Sequence, residues 1–467
     1  MNFILRIIAY KLLQAIGGIM KIYDLNPSQE VVKLQCKYTL HKRVINILTS
    51  ISSEKEIDFD VMKQAFNKVV ERNDCLRIRF VKQDGKLMQY FLDEDKFDEI
   101  PYIEFKTKTQ QDKFFDKYKK KAIKYTKGVV VEPYFIKTFD NKYMVLLKIC
   151  HLILDIYGIN VIFKDLFDVY TAMKNNTELP ECPTKFEDVV IKDLEAKKNG
   201  VKTEKHFEFF NEYLDTREEP YYAGLHGDSL PLWQKQRAKG KRAMKMFFVR
   251  NDTTGYLQKI DKETMDKVAS YSKENRVSMA NLLFYMASIT ASKMNGNVKN
   301  MIPLELCNCR ATNLERKCAG TKVQSIGCYT VVEGGKTFKD NLSAFVDNQN
   351  QLYRHLDFSD QEFEMMLHRK YPSSMLETYY SITFSFIPFI KSEDVEFNIY
   401  SNGKGALPAY LAMLYNVNEG DADMAYDVQD QLMNEQDIIK YHKNYVSVIN
   451  QIMDNPEIKI EDVKVEK

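Results

Sequence analysis

The sequence predicts an α/β fold, an α+β sandwich built twice into two packed units of similar size. Three observations predict it. Short stretches of strand character alternate with amphipathic stretches of helical period in both halves of the chain. At 467 residues, with 45% hydrophobic and 12% aromatic side chains, the chain exceeds what one core usually supports and can fill two. The most apolar strand, Tyr143–Leu147, runs into KICHLILDIYG (Lys148–Gly158), where a histidine and an acid stand four residues apart before a glycine. Chemistry is most often placed at such strand ends. The boundaries that follow are an amphipathic N-terminal helix (1–21), a first unit (22–180), a crossover (181–242) and a second unit (243–467).

Taken in order, Arg43–Ser52 has strand character, and Asp58 or Asp60 can cap a helix running to about Asn73. Leu76–Val81 and Lys86–Leu92 form a hairpin about Gln83-Asp84-Gly85. Tyr102–Thr107 reads as a strand and Gln110–Tyr125 as a lysine-rich exposed helix. Pro133–Phe139 and Lys142–Cys150 pair about Asp140-Asn141. From Gly158 onward, Ile159, Ile162, Phe163, Leu166, Val169, Tyr170 and Met173 recur at helical spacing and face a core. Asn175–Pro183 is polar and contains two prolines, and the crossover carries mixed helices, a loop rich in Gly, Pro and Tyr, and Trp233 as a packing anchor. In the second unit, Met244–Arg250, Met301–Cys309 and Ile326–Val332 read as strands, and Lys262–Glu274 and Ser278–Met294 as helices. Tyr379–Pro388, Val395–Tyr400, Tyr410–Val417 and Asp421–Asp427 read as a mostly antiparallel sheet, closed by a helix over Glu435–Met453. Two such sandwiches leave a cleft or tunnel between them.

Alternation along a strand turns Cys150 and His151 to opposite faces, which argues against a Cys-His hydrolase. The residues alone leave two readings of His151: a chemical group with Asp155 fixing the turn, or a core histidine satisfied by that carboxylate. Asp155 follows Leu152, Ile153 and Leu154, so its charge is expected to be partly desolvated and to need a cation. Only Lys148 and Lys164 lie nearby in sequence, neither well placed, so a partner from the other unit is expected. With 67 basic and 65 acidic side chains the net charge is +2, and no global field recruits nucleic acid. Lys119–Lys121 reads as a solvated helix face. The eight cysteines show no paired-CxxC spacing and read as reduced thiols of a cytoplasmic protein. Cys307, Cys309 and Cys318 lack a clear fourth ligand, so no metal is expected. Arg6 and Lys11 interrupt the apolar first twenty residues, making them too charged to span a bilayer. An amphipathic helix, packed on the protein or lying on a membrane surface, remains.

Four stretches, in order, resemble the motifs of the condensation-domain family of nonribosomal peptide biosynthesis, within the chloramphenicol acetyltransferase-like superfamily. Glu71–Phe80 (ERNDCLRIRF) is similar to RHExLRTxF, with Leu76, Arg77 and Phe80 in place. Cys150–Gly158 (CHLILDIYG) matches HHxxxDG at its second histidine, His151, and at Asp155. Phe186-Glu187-Asp188 resembles YxD, and Ile326–Val332 (IGCYTVV) resembles IGxFVNT. The closing helix and Asn455-Pro456 turn extend the likeness over about residues 22–465.

The resemblance implies two chloramphenicol-acetyltransferase-like domains in a V, with a central tunnel and His151 at its middle. A carrier protein's phosphopantetheine arm would bring an acyl or aminoacyl thioester from one side, and a small-molecule amine or alcohol would enter from the other. This chain, acting as a monomer, would bind no cofactor of its own. His151 would orient or deprotonate the nucleophile, and Arg310, by its position, would be the second-domain partner of Asp155. The readings that follow are amide formation, ester formation on a lipid or polyketide alcohol, and a non-catalytic scaffold for carriers. Two departures stand beside the motif. Cys150 replaces its first histidine, and Ile156 replaces its glycine, where a β-branched side chain resists special backbone angles or close substrate approach. Gly158, two residues on, is expected to restore part of the turn.

Overall fold

All but the first residue of strand Tyr143–Cys150 are buried, as expected of a strand covered on both faces. It lies at the centre of a five-stranded sheet in the computed structural model, which describes residues 21–466 apart from 37–38, 40, 199–200, 248, 357 and 390–394. The helix expected over residues 1–21 therefore falls, but for Lys21, outside the described residues. The sheet order is Val395–Tyr400, Asn46–Ser53, Tyr143–Cys150, Val131–Lys137, Tyr102–Glu104. Helices Phe59–Arg72 and Ile156–Asn175 pack against one another in this half, and their apolar stripes share a core with the central strand. Asp58 caps the first of them by accepting from the N–H groups of Asp60 and Val61. The hairpin Ile78–Gln83/Lys86–Phe91 turns at Asp84 and Gly85, both at positive φ (49° and 78°), the pairing that a two-residue turn requires.

The second large sheet has the order Val323–Gly327, Asn300–Asn308, Tyr380–Phe389, Ala409–Asn416, Ala422–Gln429, Thr253–Ile260, with Thr330–Val331 on the start of Asn300–Asn308. Three sequence readings change here. The sheet is mixed, because Tyr380–Phe389 pairs in parallel with both of its neighbours. Parallel neighbours cannot be joined by a hairpin, so the chain between Phe389 and Ala409 must leave the sheet. It does so as Val395–Tyr400, which pairs antiparallel with Leu48–Ser53 of the first sheet instead of joining its sequence neighbours. Met244–Arg250 yields only the strand Met244–Lys245, and the edge strand is Thr253–Ile260, whose Thr253-Thr254-Gly255 start disguises it. Trp233 is buried in the second core.

Strand alternation in Asn300–Asn308 sends Glu305 into that core, where it is 8% exposed and accepts from Gln349 Nε2 (2.8 Å) and Tyr353 Oη (2.8 Å). Burial pushes its carboxyl up to about 7, against the pull of those two hydrogen bonds. The folded state thus binds this proton more tightly than the unfolded chain. The associated stability is fully present below the ordinary carboxyl range and is lost as pH rises to about 7. Glu305→Gln is expected to stabilise the protein at pH 8, by roughly 3 kcal/mol at most, and to leave it nearly unchanged at pH 4. Urea unfolding at the two pH values measures this, and equal midpoints at pH 8 would refute it.

Candidate active site

His151 sits one residue past the central strand. Its N–H continues the ladder to Ile45 O (2.8 Å), and the next residues turn away, with Ile153 N–H bonded to Cys150 O (2.9 Å). Two side chains hold this turn from outside: Gln29 Nε2 donates to Leu152 O (2.8 Å) and Thr321 Oγ1 to His151 O (2.7 Å). The imidazole Nδ1 lies 2.9 Å from Leu154 O. A carbonyl only accepts, so Nδ1 carries the hydrogen and Nε2 the lone pair. Burial lowers the pKa of this half-buried ring, while the Asp155 charge and the Leu154 hydrogen bond oppose the shift. The ring is therefore a free base at neutral pH.

Asp155 is the N-cap of helix Ile156–Asn175, accepting from Gly158 N–H at 2.7 Å. Its carboxylate also receives Lys322 N–H (2.7 Å) and a two-pronged bond from Arg310, Nη1 at 2.9 Å and Nη2 at 3.0 Å. Arg310 is 4% exposed, which excludes a surface turn arginine. It donates further to Gly320 O (2.6 Å) and Asn308 Oδ1 (3.0 Å), and its guanidinium lies 4.5 Å from the centre of the Tyr157 ring. Neither Asp155 nor Arg310 lines the cavity that His151 faces; their contacts fix the turn behind it.

That cavity holds about 850 Å³ and is lined by His151 and Ile156 from the first half and by Leu304, Thr383, Tyr410 and Ala412 from the second sheet. Of the three motif positions expected beside a tunnel, only Ile156 lines it. Cys150 points into the first core, where burial pushes its thiol up to about 12. Gly158 restores no turn, since it is helical; its lack of a side chain lets the loop from the second half approach. A Cβ there would come within 2.8 Å of Gly320 N and 2.9 Å of Gly320 O. Ile156 is itself the first helical residue and has no positive φ, so its effect is one of volume and not of backbone strain. Lys148 is occupied elsewhere, bridging Glu132 at 2.7 Å over the Tyr118 ring.

Sequence reasoning missed Thr321, the Lys322 N–H and Gly320, which act through single hydroxyl or backbone contacts that carry no pattern. It also passed over Asp360 and Glu364, in a stretch to about Lys370 that the sequence marks only as helical. Among the described residues no group of three or more His, Cys, Asp or Glu could hold a metal ion, and no helix is long and apolar enough to cross a membrane.

The chain is 18% identical over 415 residues to Gramicidin S synthase 2 of Brevibacillus brevis, and 22% over 421 residues to its namesake of Aneurinibacillus migulanus. In both cases 88% of this chain is covered and only 9% of the relative, so the chain spans about a tenth of the length of these curated relatives. The first condensation domain of the calcium-dependent antibiotic synthetase, solved with a substrate analogue, superposes with a TM-score of 0.78 at 13% identity, covering 96% of this chain and 99% of that one. The condensation domain of the Monacolin K polyketide synthase does so with a TM-score of 0.77 at 13% identity, covering 95% and 100%. These likenesses show the α/β fold of condensation domains. The Condensation domain family model matches residues 19–466, and on that match the chain belongs to the condensation-domain family.

Proposed function

We propose that this chain is a condensation-type acyltransferase that joins an acyl or aminoacyl thioester, held on a carrier protein's phosphopantetheine arm, to an amine, forming an amide. The observation that carries the reading is the tautomer of His151. With Nδ1 committed to Leu154 O, Nε2 is left with a lone pair on a side chain that lines the cavity. The amine nitrogen attacks the thioester carbon, a C–N bond forms and the C–S bond breaks. Nε2 accepts a proton from the nitrogen and gives it up to the departing thiolate, which restores the free base. Burial keeps the ring unprotonated and ready for that role. The family's acyltransferase chemistry and the lengths of the synthetases it resembles support a carrier as partner. The arm would be the carrier's, with no cofactor resident on this chain.

Incubation with a panel of acyl-loaded carriers and candidate amines and alcohols, read by intact-protein and product mass spectrometry, tests this reading. Amide product is expected. Ester product alone would replace it with alcohol acylation, and no turnover of any pair would leave a carrier-binding scaffold.

Ile156 sets a size limit in the same reading. Its side chain packs on the apolar patch of Ile387, Ala412 and Leu414, of which Ala412 lines the cavity with it. Ile156→Gly is expected to raise kcat/KM for donors branched next to the carbonyl over that for acetyl by about tenfold or more, each lost methylene contact being worth about 1–3 kcal/mol. A cost of about 1 kcal/mol in stability should accompany it. An unchanged donor ratio in competition assays would show that Ile156 does not bound the donor space.

A further inference from the structure

One end of the cavity carries carboxylates that the reaction does not use. On helix Asp360–Lys370 the residues that line it are Asp360, Gln361, Glu364, Met365 and His368, one face of the helix. Among the described residues no cation acts on Asp360 or Glu364. The Asp360 carboxyl is hydrogen-bonded by Ser325 and by the backbone N–H groups of Gln361 and of Asp360 itself, and Thr378 Oγ1 donates to Glu364 at 2.8 Å. Among the described residues, the buried Oδ1 of Asp360 has no partner at full hydrogen-bond geometry. His368, the nearest titratable base on this face, has Nδ1 tied to Ser373 at 2.8 Å and is held neutral by burial, so it supplies no charge. A second observation comes from the sheet. Thr383, on Tyr380–Phe389, lines the same cavity, is 6% exposed, and its Oγ1 has no partner among the described residues. Buried polar groups of this kind are rare unless something meets them.

We infer that Asp360 and Glu364 form a cation subsite, with Thr383 as a neutral hydrogen-bonding group along the way, and that the acceptor is a diamine or polyamine. One nitrogen reacts at His151 while another stays protonated between the two carboxylates. This inference rests on the amide-forming reading above. Thr321 holds the His151 carbonyl, and Ser325, which touches Asp360, follows four residues later, so one short stretch of chain links the histidine to the acids. A compact monoamine at His151 would leave the acids unmet. A chain with a second ammonium would meet them with charge-assisted hydrogen bonds inside a partly dry cavity. Burial, against their hydrogen bonds and with the charge of Asp360 adding to the effect on Glu364, holds the two acids at about 6 and about 7, so an arriving cation would drive protons off them.

The test uses the full chain and calorimetric titration with putrescine, spermidine and butylamine in buffers of different ionisation enthalpy. At least one of the two polyamines should bind ten times tighter than butylamine or better, with proton release seen as buffer-dependent heat. Asp360→Asn combined with Glu364→Gln should bring its affinity down to that of butylamine, abolish the proton release and leave the protein folded, with an unfolding temperature at neutral pH no lower than the parent's. In turnover assays the double variant should raise KM for the polyamine and leave KM for butylamine unchanged. Equal affinities for all three amines, no binding at all, or a double variant that binds like the parent would overturn the subsite. Binding without acyl transfer to any amine would instead remove the amide-forming reading and leave the subsite standing.

Discussion

Replacing His151 with alanine is expected to lower product formation at least about a hundredfold while leaving the fold intact, the loss that removal of a positioned base typically causes. The structural cost should be small, because the ring is half-buried and makes one described hydrogen bond, to Leu154 O. Losing that bond is worth about 1 kcal/mol, well within the reserve of a domain this size. The pH profile adds a second check. Burial lowers the pKa of His151, so the base form persists below the ordinary imidazole value. With butylamine as acceptor, which does not use Asp360 or Glu364, the wild-type kcat/KM for the acyl donor should therefore stay flat as pH falls through about 6.5 and decline only at lower pH, whereas a core histidine without chemical work would leave no such limb. Undiminished turnover in a folded His151→Ala variant, or an acid limb centred above about 6.5, would remove His151 from the chemistry.

What could be read from the sequence follows from how locally each feature is encoded. The strand ending at His151 was legible because an unbroken apolar run needs cover on both faces, and the helix after it because its apolar residues repeat at helical spacing. The need of Asp155 for a distant cation was legible from the leucines and isoleucine before it. The path of Val395–Tyr400 was not, since its half-buried pattern fits either sheet and only the parallel pairing of Tyr380–Phe389 with Ala409–Asn416 forces it across. Equally hidden was the approach of Gly158 to Gly320, which lies 162 residues away in sequence and depends on two absent side chains. The site is thus assembled from two kinds of information. Periodicity places the histidine, and long-range backbone contacts that no pattern announces set its surroundings.

Asp155→Ala and Arg310→Ala are each expected to destabilise the protein by about 3–5 kcal/mol, the cost of leaving one member of a buried ion pair unmatched. Their side chains are 5% and 1% exposed, so water cannot replace the missing partner. Among the described residues, the carboxylate without Arg310 keeps the N–H groups of Gly158 and Lys322, and the guanidinium without Asp155 keeps Gly320 O, Asn308 Oδ1 and Cys318 O. The double variant removes both charges and strands neither. It should therefore cost less than the sum of the singles, with a coupling of about 1–3 kcal/mol in denaturant unfolding. Arg310→Lys should behave more like Arg310→Ala than like wild type, because a single ammonium cannot make the two parallel bonds to Asp155. Asp155→Asn supplies a milder variant if the alanine forms do not accumulate. The pair joins the start of the helix behind His151 to the loop after strand Asn300–Asn308, so its loss should also loosen the Thr321 bond to the His151 carbonyl and lower kcat in whatever protein remains folded. Additive effects of the two substitutions would mean that each acts alone, as a helix cap and as a loop anchor, and that no energetic bond between the halves supports the histidine.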